Sequence, residues 1–423
     1  MISDPEERKR KRQQEAAKRK ASQKKLIVTL IVAAAAVLLC GILILAIVLG
    51  VKLNSRDSSG ETTPSTSTEP VQTEQKQEDT TVIHFAATGD LNVTQSVVES
   101  GGSVYDYTET FLDVAPVLAS ADLTTVNLEG DFSDYPNGQN RSAPKSMAST
   151  LSSMGVDMIQ LANSYAINQG ISGLLTTIDT VQQAGMEPVG VFRDNAEYKQ
   201  KRGFSLFEVQ GIRIAVVSFT KGMNGDSIPG EDNENCVNVL YSDYSSVYQQ
   251  INKDKITDIM KAVESQKPDI TIALLHWGSE QDDTISKSQK TICQLLLEQG
   301  ADAIIGTHSH LVQQIDFDPE AGTLVAYSLG DFISDGTPVE AAYSIILDLE
   351  ITKDNRTGDT VISGYDYTPI FTVAEKDKPV RVVRIAEAMQ AYDVGFMEAV
   401  NQTTYNAMVR ALTRIEQRIS GLG

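Results

Sequence analysis

The chain has 423 residues, and its 36 Lys and Arg against 56 Asp and Glu leave a net charge of -20. That charge is unevenly spread: residues 1–25 hold ten basic and four acidic residues, about +6, so the remainder stands near -26. An acidic body of that size repels phosphate backbones, which argues against nucleic acid as a partner, and its length suits one large domain or two ordinary ones.

The basic head, with its unbroken run from Arg8 to Arg12, leads into an almost wholly apolar stretch over residues 26–53 that only Lys52 interrupts. About 20 apolar residues suffice to cross hydrocarbon, so the pattern predicts one transmembrane helix over 26–53. Lys and Arg crowd its N-terminal side. That places residues 1–25 in the cytoplasm as a basic tail and everything after residue 53 outside, giving a single-pass protein of the cell membrane with an extracytoplasmic C-terminal domain. A cleaved signal fits less well, because the apolar run is too long and Leu53 to Asp57 offers no small-residue cleavage site. Cys40 follows Leu39 where lipidation would want a small residue, and reads as lipid-facing packing. Residues 54–80 are Ser, Thr, Glu, Gln and Asp with Pro64 and Pro70 and no aromatic side chain, a composition that predicts a flexible linker.

From Val82 onward, β-rich runs alternate with helical patterns, the rhythm of an α/β fold. Strands are predicted at Val82 to Thr88, Leu123 to Leu128, Asp157 to Leu161, Glu187 to Val191, Ile212 to Phe219, Ile270 to Leu275, Ala303 to Ile305 and Leu324 to Ser328. Helices are predicted over 171–184 and 288–299, each ending before a glycine. Two hairpins, 204–209 with 212–219 and 344–351 with 360–367, make the sheet mixed. A domain over 81–385 is expected, with a helical segment over 386–423 packing on it through Met397, Val400, Met408, Leu412 and Ile415. The spacing of Cys236 and Cys293 leaves both a disulfide and two free thiols open.

Ligands in α/β sheets collect beyond the C-terminal ends of strands. The residues there are Gly89-Asp90, Asn127-Leu128-Glu129, Asn163, His276-Trp277-Gly278-Ser279-Glu280 and Gly306-Thr307-His308-Ser309-His310. Three of the four histidines lie in these turns, whereas His84 sits inside the first strand and reads as structural or surface. Carboxylates and imidazoles converging on one cleft need a cation or a hydrogen-bond network between them. Oxygen and nitrogen donors suit divalent Mn, Fe, Zn or Mg, and two adjacent ions would clamp an anionic or carbonyl substrate and activate water.

The ordered segments TGD (88–90), VNLEG (126–130), LANSYAINQG (161–170), LLHWGSE (274–280), IIGTHSHLVQQ (304–314) and AYSLGDF (326–332) resemble the CapA family of poly-γ-glutamate capsule biosynthesis proteins, over residues 81–340. The resemblance implies a calcineurin-like metallophosphatase sandwich of mixed β-sheets flanked by helices, with a two-metal site at the strand ends. By it, Asp90, Glu129, Asn163, His276, His308, His310 and Asp331 are candidate metal ligands, and Tyr165, His276 and Glu280 candidate catalytic groups. Trp277 is a candidate substrate contact. The implied setting is the synthesis, export or processing of an anionic envelope polymer, beside the membrane and the subunits of a capsule-synthesis complex. Where the family reads N-N-H-A followed by an acidic residue, this chain has Asn163, Ser164, Tyr165, Ala166 and Ile167, so an amide, a histidine and an acid are replaced. Asp331 stands where the family has Asn. Two readings follow, a metal-dependent hydrolase or transferase and a polymer-binding scaffold without turnover. For a polyanion to approach an acidic domain, bound cations or a basic cleft are needed, with Arg141, Lys145, Arg193, Lys199, Lys201 and Arg202 as candidates.

Overall fold

Sixteen strands and two helical layers are defined in the computed structural model, which describes residues 79–375, 378–395 and 400–422. The strands are β1 (Thr80–Asn92), β2 (Leu123–Glu129), β3 (Asp131–Ser133), β4 (Ser142–Pro144), β5 (Met158–Gln160), β6 (Glu187–Val189), β7 (Phe204–Val209) and β8 (Ile212–Thr220). They continue with β9 (Ile270–His276), β10 (Ala303–Thr307), β11 (Ile315–Asp318), β12 (Thr323–Ala326), β13 (Asp331–Ile333), β14 (Tyr343–Asp354), β15 (Thr360–Val373) and β16 (Arg381–Arg384). One sheet runs β16-β15-β14-β1-β2-β5-β6, with β13 also paired to β1; a second runs β11-β12-β10-β9-β8-β7; β3 and β4 form a small third. In the first sheet β1, β2, β5 and β6 are parallel and β14 to β16 antiparallel. In the second β8, β9, β10 and β12 are parallel, with β7 and β11 as antiparallel edges.

Side-chain alternation explains why the sheets stack. Phe85 and Ala87 of β1, Ile214 and Val216 of β8, Ile272 and Leu274 of β9, and Ala303 and Ile305 of β10 share one buried cluster between the two sheets. The residues between them face outward: Ala215, Val217, Ala273 and Leu275 meet Ile256, Ile259, Met260 and Val263 of helix Lys253–Glu264, and Ile292 and Leu296 of helix Lys287–Glu298. On the far face of the first sheet, Val126 and Leu128 pack with Leu174, Ile178 and Val181 of helix Gly170–Gln183. The architecture is therefore helix, sheet, sheet, helix, each layer burying the face its periodicity made apolar.

Boundaries depart from expectation where tertiary pairing overrides the apolar pattern. β1 continues four residues past Thr88 through an irregularity, because Asp90 and Leu91 pair with β13 on one side and β2 on the other. Gly89 is required there: a Cβ at this position would lie 1.8 Å from Gly330 O. The C-terminal segment is two helices, Ile385–Asp393 and Gln402–Ile419, the second capped by Asn401, whose side chain accepts from Thr403 and Thr404. Val400, Met408 and Ile415 join the cluster between the sheets and Leu412 packs against it, while Met397 lies outside the described residues. The predicted basic tail, transmembrane helix and most of the linker also lie outside them. Among the described residues no helix is long and apolar enough to cross a membrane. Cys236 and Cys293 are free and buried. His84 is half-exposed on β1, its Nδ1 3.0 Å from Asp348 Oδ2.

Candidate metal centre

The parallel strands end on one rim, and the polar residues there pack inward. Asp90 (from β1), Glu129 (β2), His276 (β9) and Asp331 (β13) close their strands or open from the neighbouring turn, and His308 and His310 follow β10. All six are buried. Two groups stand out, Glu129–His276–His308 and Asp90–His310–Asp331, each with one ligand atom per residue and all such atoms within 4.8 Å of one another.

The two groups are cross-linked. Glu129 Oε1 lies 3.0 Å from His276 Nε2, and Asp331 Oδ1 lies 2.7 Å from His310 Nδ1. Asp90 Oδ2 accepts the His308 backbone N–H at 2.9 Å, and Asp90 Oδ1 accepts from Asn127 Nδ2. His276 is further held by Thr307 Oγ1 at 3.0 Å from Nδ1 and Ser164 Oγ at 3.1 Å from Nε2. The turn carrying the paired histidines is in the left-handed region, His308 at φ 90° and His310 at φ 59°, conformations that cost a non-glycine residue energy and cluster at functional sites.

His308 breaks the pattern of satisfied neighbours. It is 2% exposed and neither ring nitrogen has a hydrogen-bond partner among the described residues. Burial, with His276, Lys221 and His310 adding to it, holds its pKa well below the ordinary imidazole value, so the ring is neutral and a lone pair is free for a cation. Burial alone would lower His310 too, but Glu129, Asp331 and Asp90 outweigh it and raise the group to about 11. Burial, then the charge of Glu129, raises Asp90. Burial lifts Asp331 to about 7 against the pull of His310. In Glu129 the burial penalty is overcome by His310, His276 and Arg141, leaving its carboxyl below the ordinary range. Three buried carboxylates, three imidazoles and an orphaned ring nitrogen fit a divalent cation. No cysteine belongs to either group, so the donors are oxygen and nitrogen.

A family description, bacterial capsule synthesis protein PGA_cap, matches residues 84–336, a span that contains every one of these side chains. The chain belongs to this family. Among curated relatives, the PGA biosynthesis protein CapA of Bacillus subtilis is 24% identical over 278 residues, covering 65% of this chain and 67% of that protein. The capsule biosynthesis protein CapA of Bacillus anthracis is 25% identical over 236 residues, 53% of each chain. A probable polyglutamine synthesis accessory protein of Mycobacterium tuberculosis is 24% identical over 217 residues, and the chain spans about half that protein's length. Among solved structures, the calcineurin-like phosphoesterase YfkN from Bacillus subtilis aligns with a TM-score of 0.43 at 15% identity, over 80% of this chain and 98% of that one.

Within this PGA_cap protein the rim brings together Asp90, Glu129, His276, His308, His310 and Asp331 and treats the other predicted residues differently. Asn163 is a brace: its Nδ2 donates to Asn127 Oδ1 at 3.1 Å and to Leu128 O, and its Oδ1 accepts the Tyr165 N–H at 2.9 Å. Trp277, the expected substrate contact, is packed in the core. It is 1% exposed, donates from Nε1 to Tyr327 O at 2.9 Å and stacks on the Tyr327 ring. The reason is alternation: His276 faces the rim, so the next side chain turns to the outer helical layer. Glu280 is exposed at the mouth of a cavity of about 280 Å³ that also touches Ser164, Lys221 and His308. Tyr165 is half-buried beneath the Arg141 guanidinium; burial raises its pKa above the ordinary phenol value. Sequence reasoning placed Asn127 and Thr307 at the strand ends and Ser164 in the altered motif, but missed Lys221 as a site neighbour. Lys221 follows β8 directly, so the strand-end rule that found the histidines would have found it.

Proposed function

We propose that this chain is a membrane-anchored, extracytoplasmic, CapA-like protein acting on an anionic envelope polymer of the poly-γ-glutamate type, with a metal-dependent hydrolase or transferase site. One observation carries the reading: a buried rim of three carboxylates and three imidazoles in which both nitrogens of His308 lack a hydrogen-bond partner among the described residues. Glu129, His276 and His308 would hold one ion, and Asp90, His310 and Asp331 a second, drawn from Mn, Fe, Zn or Mg. Bound there, such ions supply charge neutralisation for an anionic or carbonyl group and lower the pKa of water. The protein's own part is orientation: Asp331 fixes the His310 ring, Thr307 and Ser164 fix His276, and the inward turn excludes bulk water. The apolar stretch over 26–53 and the basic head support the anchor, and the family supports the polymer class and a place beside other capsule-synthesis subunits.

A second reading, a polymer-binding scaffold without turnover, is favoured by Ser164 and Tyr165 standing where the family carries an amide and a histidine. Tyr165, with its pKa raised by burial, is a poor proton donor near neutral pH, a deficit of roughly 10² to 10⁴ in rate for a lost general acid. Elemental analysis of the full chain in detergent, beside a His308→Ala, His310→Ala double variant, separates the readings when run with a turnover assay on poly-γ-glutamate. One or two equivalents of metal, lost in the variant, with turnover in the parent, is the expected result. Metal without turnover selects the scaffold, and absence of metal after supplementation removes the hydrolase reading.

A further inference from the structure

An acidic domain that handles a polyanion needs a local positive seat, and the basic residues of this chain sort into two kinds. Lys145 pairs with Asp134, Arg193 with Asp179 and Lys201 with Glu187. Arg141 and Lys221 form no ion pair among the described residues, and both border the metal centre. The Arg141 guanidinium lies 5.2 Å from the centre of the Tyr165 ring, and its Nη1 is buried without a hydrogen-bond partner. Lys221 donates to Gly278 O at 2.9 Å, lies 5.0 Å from the Tyr248 ring centre, and lines the 280 Å³ cavity with Ser164, Asn224 and His308. Ser164, the residue before Tyr165, lines the cavity that Lys221 and His308 share, which brings the Arg141–Tyr165 stack and Lys221 to the same rim.

Resting on the hydrolase-or-scaffold reading above, we infer that Arg141 and Lys221 are the specificity-determining cations of this site, seating successive carboxylates of an acidic acyl chain on either side of the metal centre. Both side chains hold donors that the protein leaves unspent. A guanidinium packed on an aromatic face and an ammonium tethered by one carbonyl are already ordered, which lowers the entropy lost on binding. Glu280, exposed on the same cavity, opposes a further carboxylate there and so sets the sign of a third test.

The experiment is the affinity of the full chain in detergent for a short poly-γ-glutamate oligomer, measured with a chelator present so that metal takes no part, with polyphosphate as the comparison polyanion. The basic residues 1–25 are common to every variant, so differences between variants report the site. Arg141→Gln and Lys221→Gln are each expected to weaken binding about tenfold, as for a lost charge-assisted hydrogen bond. Glu280→Gln should tighten it, Arg141→Lys and Lys221→Arg should retain most of it, and Lys201→Gln, whose ammonium pairs with Glu187 at the start of β6, should leave it unchanged. Unchanged affinity in Arg141→Gln and Lys221→Gln, with unfolding midpoints like the parent's, overturns the assignment. So does an equal loss in Lys201→Gln, which would mean diffuse charge, or polyphosphate bound through these residues in preference to the glutamyl oligomer. Charge-dependent binding without any turnover keeps the seat and removes the hydrolase, whereas turnover with unaltered binding in the variants removes the seat alone.

Discussion

The two ends of the same parallel strands use carboxylates in opposite ways. At the N-terminal ends, an aspartate precedes β2, β5, β9 and β10, and each accepts a backbone N–H from the neighbouring strand: Asp122 from His84, Asp157 from Thr124, Asp269 from Arg213 and Asp302 from Thr271. Each also donates its own N–H to the carbonyl of that same neighbour, closing a ring that extends the ladder by one side chain. At the C-terminal ends, Asp90, Glu129 and Asp331 meet mainly imidazoles and one another, and His308 meets nothing that bonds its ring. Acidic residues at one end complete the fold; at the other they form a buried cluster that fits a cation.

The largest effect that sharpens this contrast is expected at the rim. Asp90→Asn should weaken metal binding by at least about a hundredfold, read by metal titration of the full chain. The metal-free unfolding midpoint should fall less than in the strand-start variant Asp157→Ala, because removing the burial penalty that raises the Asp90 carboxyl offsets the loss of one of its two accepted hydrogen bonds. At the other end the pattern should invert. Asp157→Ala leaves the Thr124 N–H, in a residue with no exposed surface, without its acceptor, and should cost about 1–3 kcal/mol in denaturant unfolding with metal binding unchanged. A metal-free Asp90→Asn chain as destabilised as Asp157→Ala would break the comparison.

Much of this organisation is legible in the residues and some is not, for physical reasons. The apolar runs ending in Asp90, Glu129, His276 and His308 announce both the strands and the rim, because parallel strands buried on two faces cannot hold polar groups until they end. Asp331 could be named as a candidate, but its partner could not. β13 is three residues long, and its pairing of Asp331 with Asp90 needs the close approach of Gly89 to Gly330, a backbone contact that no periodicity encodes. Trp277 was misleading for a related reason: adjacency to a histidine says nothing of which face a side chain takes, and alternation sends it to the core. The Asn163 amide offered donors and an acceptor suited to a metal or a brace, and its three hydrogen bonds show the brace, which no spacing in the sequence encodes.

The smallest effect concerns Asp302, whose carboxyl burial raises to about 6 despite the Thr271 N–H it accepts. Its folded pKa lies above the unfolded value near 3.9, so the folded state favours the protonated form. The stability this contributes is fully present below about pH 3.9 and is lost as pH rises through 6. The group is partly open to solvent, so the change should be on the order of 1–2 kcal/mol. Asp302→Asn, which keeps an acceptor for Thr271 and has no proton to lose, should flatten the dependence of the unfolding free energy on pH between 4 and 7 by that amount. Asp331, raised to about 7, titrates close to this window, so the comparison is between parent and variant at each pH. An identical slope in the two chains would mean that this aspartate is solvated when ionised, and that the strand-start ring holds it less firmly than its geometry implies.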